Sequence, residues 1–162
     1  MACILLAGCF PAVASIYYPV NAKVQNVSGR NCTSNSLTTL LQEDGVSIQL
    51  LLPADREALV GTVQIDVASG KTLVLDHPGL TLTSANLSEP LFVELRGTGR
   101  LPADVEFVGP AHKSYSFAPA LQTLPPEVAI SLPDISINGD ARHSAPVQFA
   151  RKRSPQIVFM CQ

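Results

Sequence analysis

Val46-Ser47-Ile48-Gln49-Leu50-Leu51-Leu52 opens the stretch that decides the fold, and Leu80-Thr81-Leu82-Thr83 closes it. Val46, Ile48, Leu50 and Leu52 fall on one side of an extended chain, Ser47 and Gln49 on the other. That period of two is the mark of a strand with one buried face. Val63, Ile65 and Val67 repeat it against Thr62, Gln64 and Asp66. Ser69-Gly70 then predicts a tight turn, because glycine tolerates positive φ. The chain returns through Leu73-Val74-Leu75 and turns again at Asp76-His77-Pro78-Gly79. Residues 45–83 therefore read as an antiparallel meander with one buried face.

Downstream the same punctuation continues. Leu91, Val93 and Leu95 alternate with Glu94 and Arg96, and Tyr115 and Phe117 with Ser114 and Ser116. Leu124-Pro125-Pro126 is excluded from a central strand, since neither proline donates to a ladder. Val128, Ile130 and Leu132 resume the pattern, Pro133 interrupts it, and Ile135 and Ile137 lead into Asn138-Gly139, a strong hairpin signal. Val147 to Phe149 and Gln156 to Cys161 close the chain. The reading is all-β: an antiparallel, immunoglobulin-like β-sandwich of about ten short strands, with turn signals every 8–12 residues. Upstream, Leu37, Leu40 and Leu41 are spaced for a short helix over 36–43 stopped by Gly45, whereas Thr38-Thr39 favours a strand. Residues 26–36 read as loop.

The extreme N-terminus contains Leu6-Ala7-Gly8-Cys9. It resembles the lipobox of bacterial lipoproteins, in which a signal peptidase cuts before a cysteine that is then acylated. The resemblance implies a lipid on Cys9, loss of residues 1–8, and, with Phe10 rather than Asp next, release to the outer membrane. No Lys or Arg precedes Cys9, where a signal peptide carries its positive n-region. The start is therefore read as truncated upstream. Residues 1–8 become a residual signal peptide, 9–36 a lipid-anchored tether and edge segment, and 37–162 a single β-sandwich domain. No apolar run after Phe10 reaches the ~18 residues of a transmembrane helix. Uncharacterised bacterial envelope proteins with a lipobox, a β-rich body and a C-terminal cysteine look similar, and they imply no activity.

Four cysteines occur: Cys3, Cys9, Cys32 and Cys161. Under the lipoprotein reading Cys3 is removed and Cys9 acylated, which leaves Cys32 and Cys161 in an oxidising compartment. Their expected disulfide closes about 130 residues and contributes roughly 5 kcal/mol on the chain-entropy model. Two buried free thiols are the alternative. A metal site lacks the accompanying C-x-x-C or H-x-x-x-H spacing.

Composition narrows the function classes. The chain is 46% hydrophobic and 15% charged, which is not the balance of a disordered chain. A net charge of −2 offers no global attraction to nucleic acid. Against it stands a local +3 over residues 140–162, from Arg142, Arg151, Lys152 and Arg153 less Asp140. That basic patch, beside His143, suits anionic headgroups or an acidic partner; it also suits an edge strand guarded against pairing. His77, His112 and His143 lie in or beside proline-containing turns, and none is at ligand spacing from another. No G-x-S-x-G elbow occurs, and Gly97-Thr98-Gly99 lacks the third glycine of a phosphate loop. Glu43-Asp44 and Asp55/Glu57 are carboxylate pairs in loops, where a glycosidase would need two facing one cleft. Tryptophan is absent, leaving Tyr17 and Tyr18 as sugar platforms. Asn26, Asn31 and Asn86 begin N-x-S/T sequons, informative only in a eukaryotic secreted chain.

The expectation is a non-enzymatic cell-envelope lipoprotein, a binding, adhesion or assembly module facing the periplasm from the outer membrane. It has no catalytic residues, metal or cofactor, its partners are the membrane and an envelope protein, and it does not bind nucleic acid. The alternatives are a hydrolase or carbohydrate-active domain using loop carboxylates, and a secreted glycoprotein domain.

Overall fold

The alternation at Val46 to Leu52 becomes a strand because its four apolar side chains all reach the interior, each at most 2% exposed. In the computed structural model, which describes residues 10–22, 24–28, 34–53, 59–121 and 123–158, this strand is β4 (Val46–Pro53). Before it come β1 (Phe10–Pro19), β2 (Val24–Ser28) and β3 (Ser34–Glu43). After it come β5 (Gly61–Val67), β6 (Thr72–Leu75), β7 (Gly79–Thr83), β8 (Leu91–Glu94), β9 (Glu106–Val108) and β10 (Ala111–Phe117). The last four are β11 (Glu127–Ser131), β12 (Ile135–Ile137), β13 (Asp140–Arg142) and β14 (Val147–Val158). The described chain is all-β, every pairing is antiparallel, and no sheet closes on itself.

The described strands form three sheets, ordered β1-β14-β11-β7-β8, β10-β5-β4-β3-β2 and β13-β12-β6-β9. Their inward side chains form one core, with Leu82, Ile130 and Phe149 from the first, Ile48, Val63 and Tyr115 from the second, and Leu73, Phe107 and Ile137 from the third. First and second sheets also touch edge to edge, where Arg96 and Ser116 exchange both backbone hydrogen bonds at 2.8 Å.

The structure corrects several sequence expectations. The meander over 45–83 ends after one hairpin: β4 pairs with β5, but β6 belongs to the third sheet and β7 to the first. The Ser69-Gly70 turn is present, with the Lys71 amide donating to the Ala68 carbonyl at 3.1 Å and Gly70 at φ 76°. It bends the ribbon rather than reversing it. The same bend occurs in the strand alongside, where β9 pairs with β6 and β10 with β5 on either side of Gly109-Pro110. A side chain at Gly109 would sit 2.8 Å from the Val67 carbonyl oxygen, so the corner requires glycine.

Of the two readings of 36–43, the strand favoured by Thr38-Thr39 holds, and the helix does not form: the segment is β3. A β-bulge between Thr39 and Leu41 pairs Thr38 with Leu50 and Leu41 with Ile48. The extra residue puts Thr38 and Leu41 on the core-facing side, while Leu37 pairs with Leu51 on the other face, so the three leucines do not share one face as a helix would place them. Gly45, read as a helix stop, closes the β3–β4 hairpin with Asp44 at φ 49° and itself at φ 80°. The Asn138-Gly139 hairpin, the break at Leu124 to Pro126 and the interruption at Pro133 stand as the sequence implies. The described residues hold fourteen strands rather than ten, mainly because the stretch read as tether, edge segment and loop carries both β1 and β2.

Candidate functional site

β11 sits between β14 and β7, and its outward residue Ala129 pairs with Gln148 on one side and Thr83 on the other. A methyl flanked by two longer polar side chains leaves a depression across the first sheet. It is a groove of about 370 Å³, walled by Ser84 to Asn86 on one side and Val20 on the other, with Pro126 and Glu127 at its end.

Local hydrogen bonds hold both walls. The Ser84 hydroxyl donates to the Glu127 carbonyl at 2.7 Å and accepts from the Asn86 amide at 3.4 Å, tying the loop after β7 to β11. On the far side, the Val20 amide donates to the Gln148 carbonyl at 2.7 Å, extending the β1 pairing past Pro19. The Asn21 side chain completes it, accepting from the Gln148 amide at 2.8 Å and donating to the Pro146 carbonyl at 3.2 Å. The groove is thus preformed, in the size range of small-ligand sites. Its lining supplies the amides of Asn86 and Gln148, the Thr83 hydroxyl and one carboxylate, Glu127. That set can orient a polar ligand by hydrogen bonds. Among the described lining residues it places no second carboxylate beside Glu127 and no nucleophile beside a base.

A second cleft, about 490 Å³, opens where β8 and the chain after β10 diverge beyond the Arg96–Ser116 bridge. Phe92 lies half-exposed in it, edge-on to His77 at 4.8 Å, and Glu94 neutralises Arg96 at 3.0 Å.

The basic residues separate. Arg142 on β13 is held by the turn of the β3–β4 hairpin, its Nε donating to Glu43 at 2.9 Å and an Nη to Asp44 at 3.3 Å, with Asp140 at 3.7 Å. Desolvation alone would lower its pKa, but the bond to Asp44 and the charges of Glu43 and Asp140 outweigh it and raise it. Carboxylates from two turns do converge here, and a guanidinium occupies the space between them. Arg151, Lys152 and Arg153 lie on β14 in another sheet, opposite Tyr17, Ile16 and Ser15. Arg151 is half-buried and donates to the Leu124 carbonyl at 3.3 Å. Lys152 is exposed, its ammonium 5.8 Å from the centre of the Tyr18 ring.

Tyr17 is buried and donates its hydroxyl to the Pro125 carbonyl at 2.6 Å. Burial raises its pKa, against the opposing charge of Arg151. His112 contacts Asp66 across β10 and β5 on an exposed face, and His143 faces Asp134 at 3.3 Å in solvent. The Nδ1 of His77 is buried without a hydrogen-bond partner among the described residues. The three histidines lie at three different places and share no site. Asn26 is on β2, and Asn86 is in the groove wall. Cys3, Cys9, Cys32, Cys161, Asn31, Asp55 and Glu57 lie outside the described residues.

No protein-family model, curated protein or solved structure matches this chain.

Proposed function

We propose that this chain is a non-enzymatic cell-envelope lipoprotein, acylated at Cys9 and held at the outer membrane, whose body is a binding, adhesion or assembly module. The observation that carries the binding role is the groove over Ala129. It is preformed, its polar lining is hydrogen-bonding rather than reactive, and its walls are fixed by Asn21 and Ser84. The body is read as an immunoglobulin-like β-sandwich. Support comes from two five-stranded antiparallel sheets whose inward side chains belong to one core. Cys32 and Cys161 form its disulfide, and an acyl chain on Cys9 ties it to the membrane without spanning. The pairing of Phe10 with Val158 starts β1 one residue after Cys9, so the folded body would begin directly at the anchor.

The test is the intact, unreduced mass of the protein from a bacterial membrane fraction, expressed with its natural upstream sequence. Loss of everything before Cys9, added acyl mass and two missing hydrogens are expected. A soluble chain starting at Met1 with free thiols overturns the compartment. For the binding role, Ala129→Trp fills the groove on a solvent-facing position. It is expected to remove the envelope partner from a pull-down while leaving the denaturation midpoint in place. Unchanged capture rejects the groove.

A further inference from the structure

We propose that the edge of β14 beyond Arg151, which no described strand covers, is a docking site for an acidic, extended segment of a partner protein, which adds to it as a further strand. β14 is twelve residues long, but β11 covers only Val147–Ala150. Pro125 and Pro126 precede β11, and because prolines lack an amide proton they end the ladder there. Among the described residues, the last backbone bond on that side runs from the Arg151 amide to the Pro126 carbonyl, at 2.7 Å. β1 meanwhile accompanies β14 on its other side as far as Val158. Past Arg151 the two strands therefore form a ribbon, and no described strand pairs with the second edge of β14.

Strand geometry says which groups that edge presents. In an antiparallel strand the amide and carbonyl of one residue point to the same side, and the side alternates. Counting on from Arg151, positions 153, 155 and 157 turn to the open edge, and 152, 154, 156 and 158 turn to β1. Pro155 thus places its missing amide on the open side, where the β1 ladder loses nothing. The edge offers the amides and carbonyls of Arg153 and Ile157 and the carbonyl of Pro155, enough to template a short strand.

Charge selects the occupant. β1 and β14 together carry Arg151, Lys152 and Arg153 and no acidic residue. Antiparallel addition of a second copy would set this charge against itself, and like charges across a strand pair are destabilising. A strand bearing Asp or Glu is attracted by Lys152 and Arg153. Basic residues and a proline are how edges are guarded against indiscriminate pairing, and here they leave the edge selective. The inference deepens the reading of the chain as a binding module but does not need the lipid on Cys9, so the mass measurement and the experiment below fail independently.

The probes are two synthetic decapeptides that alternate valine and threonine with either glutamate or lysine. They are titrated onto the full chain at low salt, followed by hydrogen exchange. The glutamate peptide should bind roughly tenfold tighter than the lysine peptide, and should slow exchange of the Arg153 and Ile157 amides while the Gln148 amide is unchanged. Lys152→Glu with Arg153→Glu should reverse the preference. Ile157→Pro should abolish binding without unfolding, because that amide faces away from β1. Equal binding of both peptides, or protection confined to the groove over Ala129, overturns the proposal. So does binding to phosphatidylglycerol vesicles with no binding of either peptide, since the charge would then serve a lipid surface.

Discussion

Replacing Thr38 with valine should stabilise the protein. Thr38 is the one polar residue among the described buried positions, with no exposed surface, opposite the equally buried Leu50. Its hydroxyl has no hydrogen-bond partner among the described residues. In the unfolded chain that hydroxyl is hydrated, and burying it unpaired costs about 1–3 kcal/mol on mutational scales. Valine has the same branched shape and the same preference for strands, so it removes the cost without opening a cavity. A gain of about 1–2 kcal/mol is expected, and each kcal/mol raises the midpoint of a chain this size by about 2–4 °C. Urea denaturation of the wild type and of Thr38→Val measures it. Thr39→Val, whose side chain is half-buried on the other face opposite Gln49, is the control and should change little. Destabilisation of Thr38→Val by about 1 kcal/mol or more would refute the reasoning, because the hydroxyl would then have to be bonded in the folded protein.

Tyr115 sets an alkaline limit. Burial first, then its 2.9 Å hydrogen bond to Asp104, pushes its pKa from 10.0 up to about 12. A group whose folded pKa is raised contributes stability that is complete below the unfolded value and is lost as pH rises between the two. Over pH 10–12 the loss should approach about 1.4 kcal/mol per unit, and Tyr115→Phe should flatten that limb of a denaturation series. An identical pH slope in the variant would count against this. Phe149→Ala, at a fully buried position of β14 between Pro19 of β1 and Val128 of β11, should cost about 3–5 kcal/mol in a urea titration. Gly109→Ala should cost about 3 kcal/mol or more, because the added methyl overlaps the Ala68 carbonyl group and the backbone must yield. A midpoint unchanged by that substitution would mean that the corner is looser than described.

Local pattern alone determined that this chain is made of antiparallel strands and where most of them break. Alternation at 46–52 and 63–67, the prolines at 125, 126 and 133, and Asn138-Gly139 each act within a few residues, so they are legible without a partner. Bends and bulges were not legible in this way. Whether Ser69-Gly70 reverses a strand or turns it into another sheet depends on the strand lying beside it, and on Gly109 allowing that strand close. The bulge in β3 depends on its register against β4, which local spacing of leucines does not reveal. The groove was invisible for the same reason: Asn21 meets Gln148 and Ser84 meets Glu127 across separations of 127 and 43 residues. Short polar side chains in loops carry no period that could announce such meetings. Sequence determined the charge of Arg142 and of Arg151 to Arg153, but only tertiary structure assigned the first to a cage of carboxylates and the others to the ribbon of β1 and β14. Sign and propensity belong to a residue, whereas the partner that answers them is chosen by the folding of distant chain.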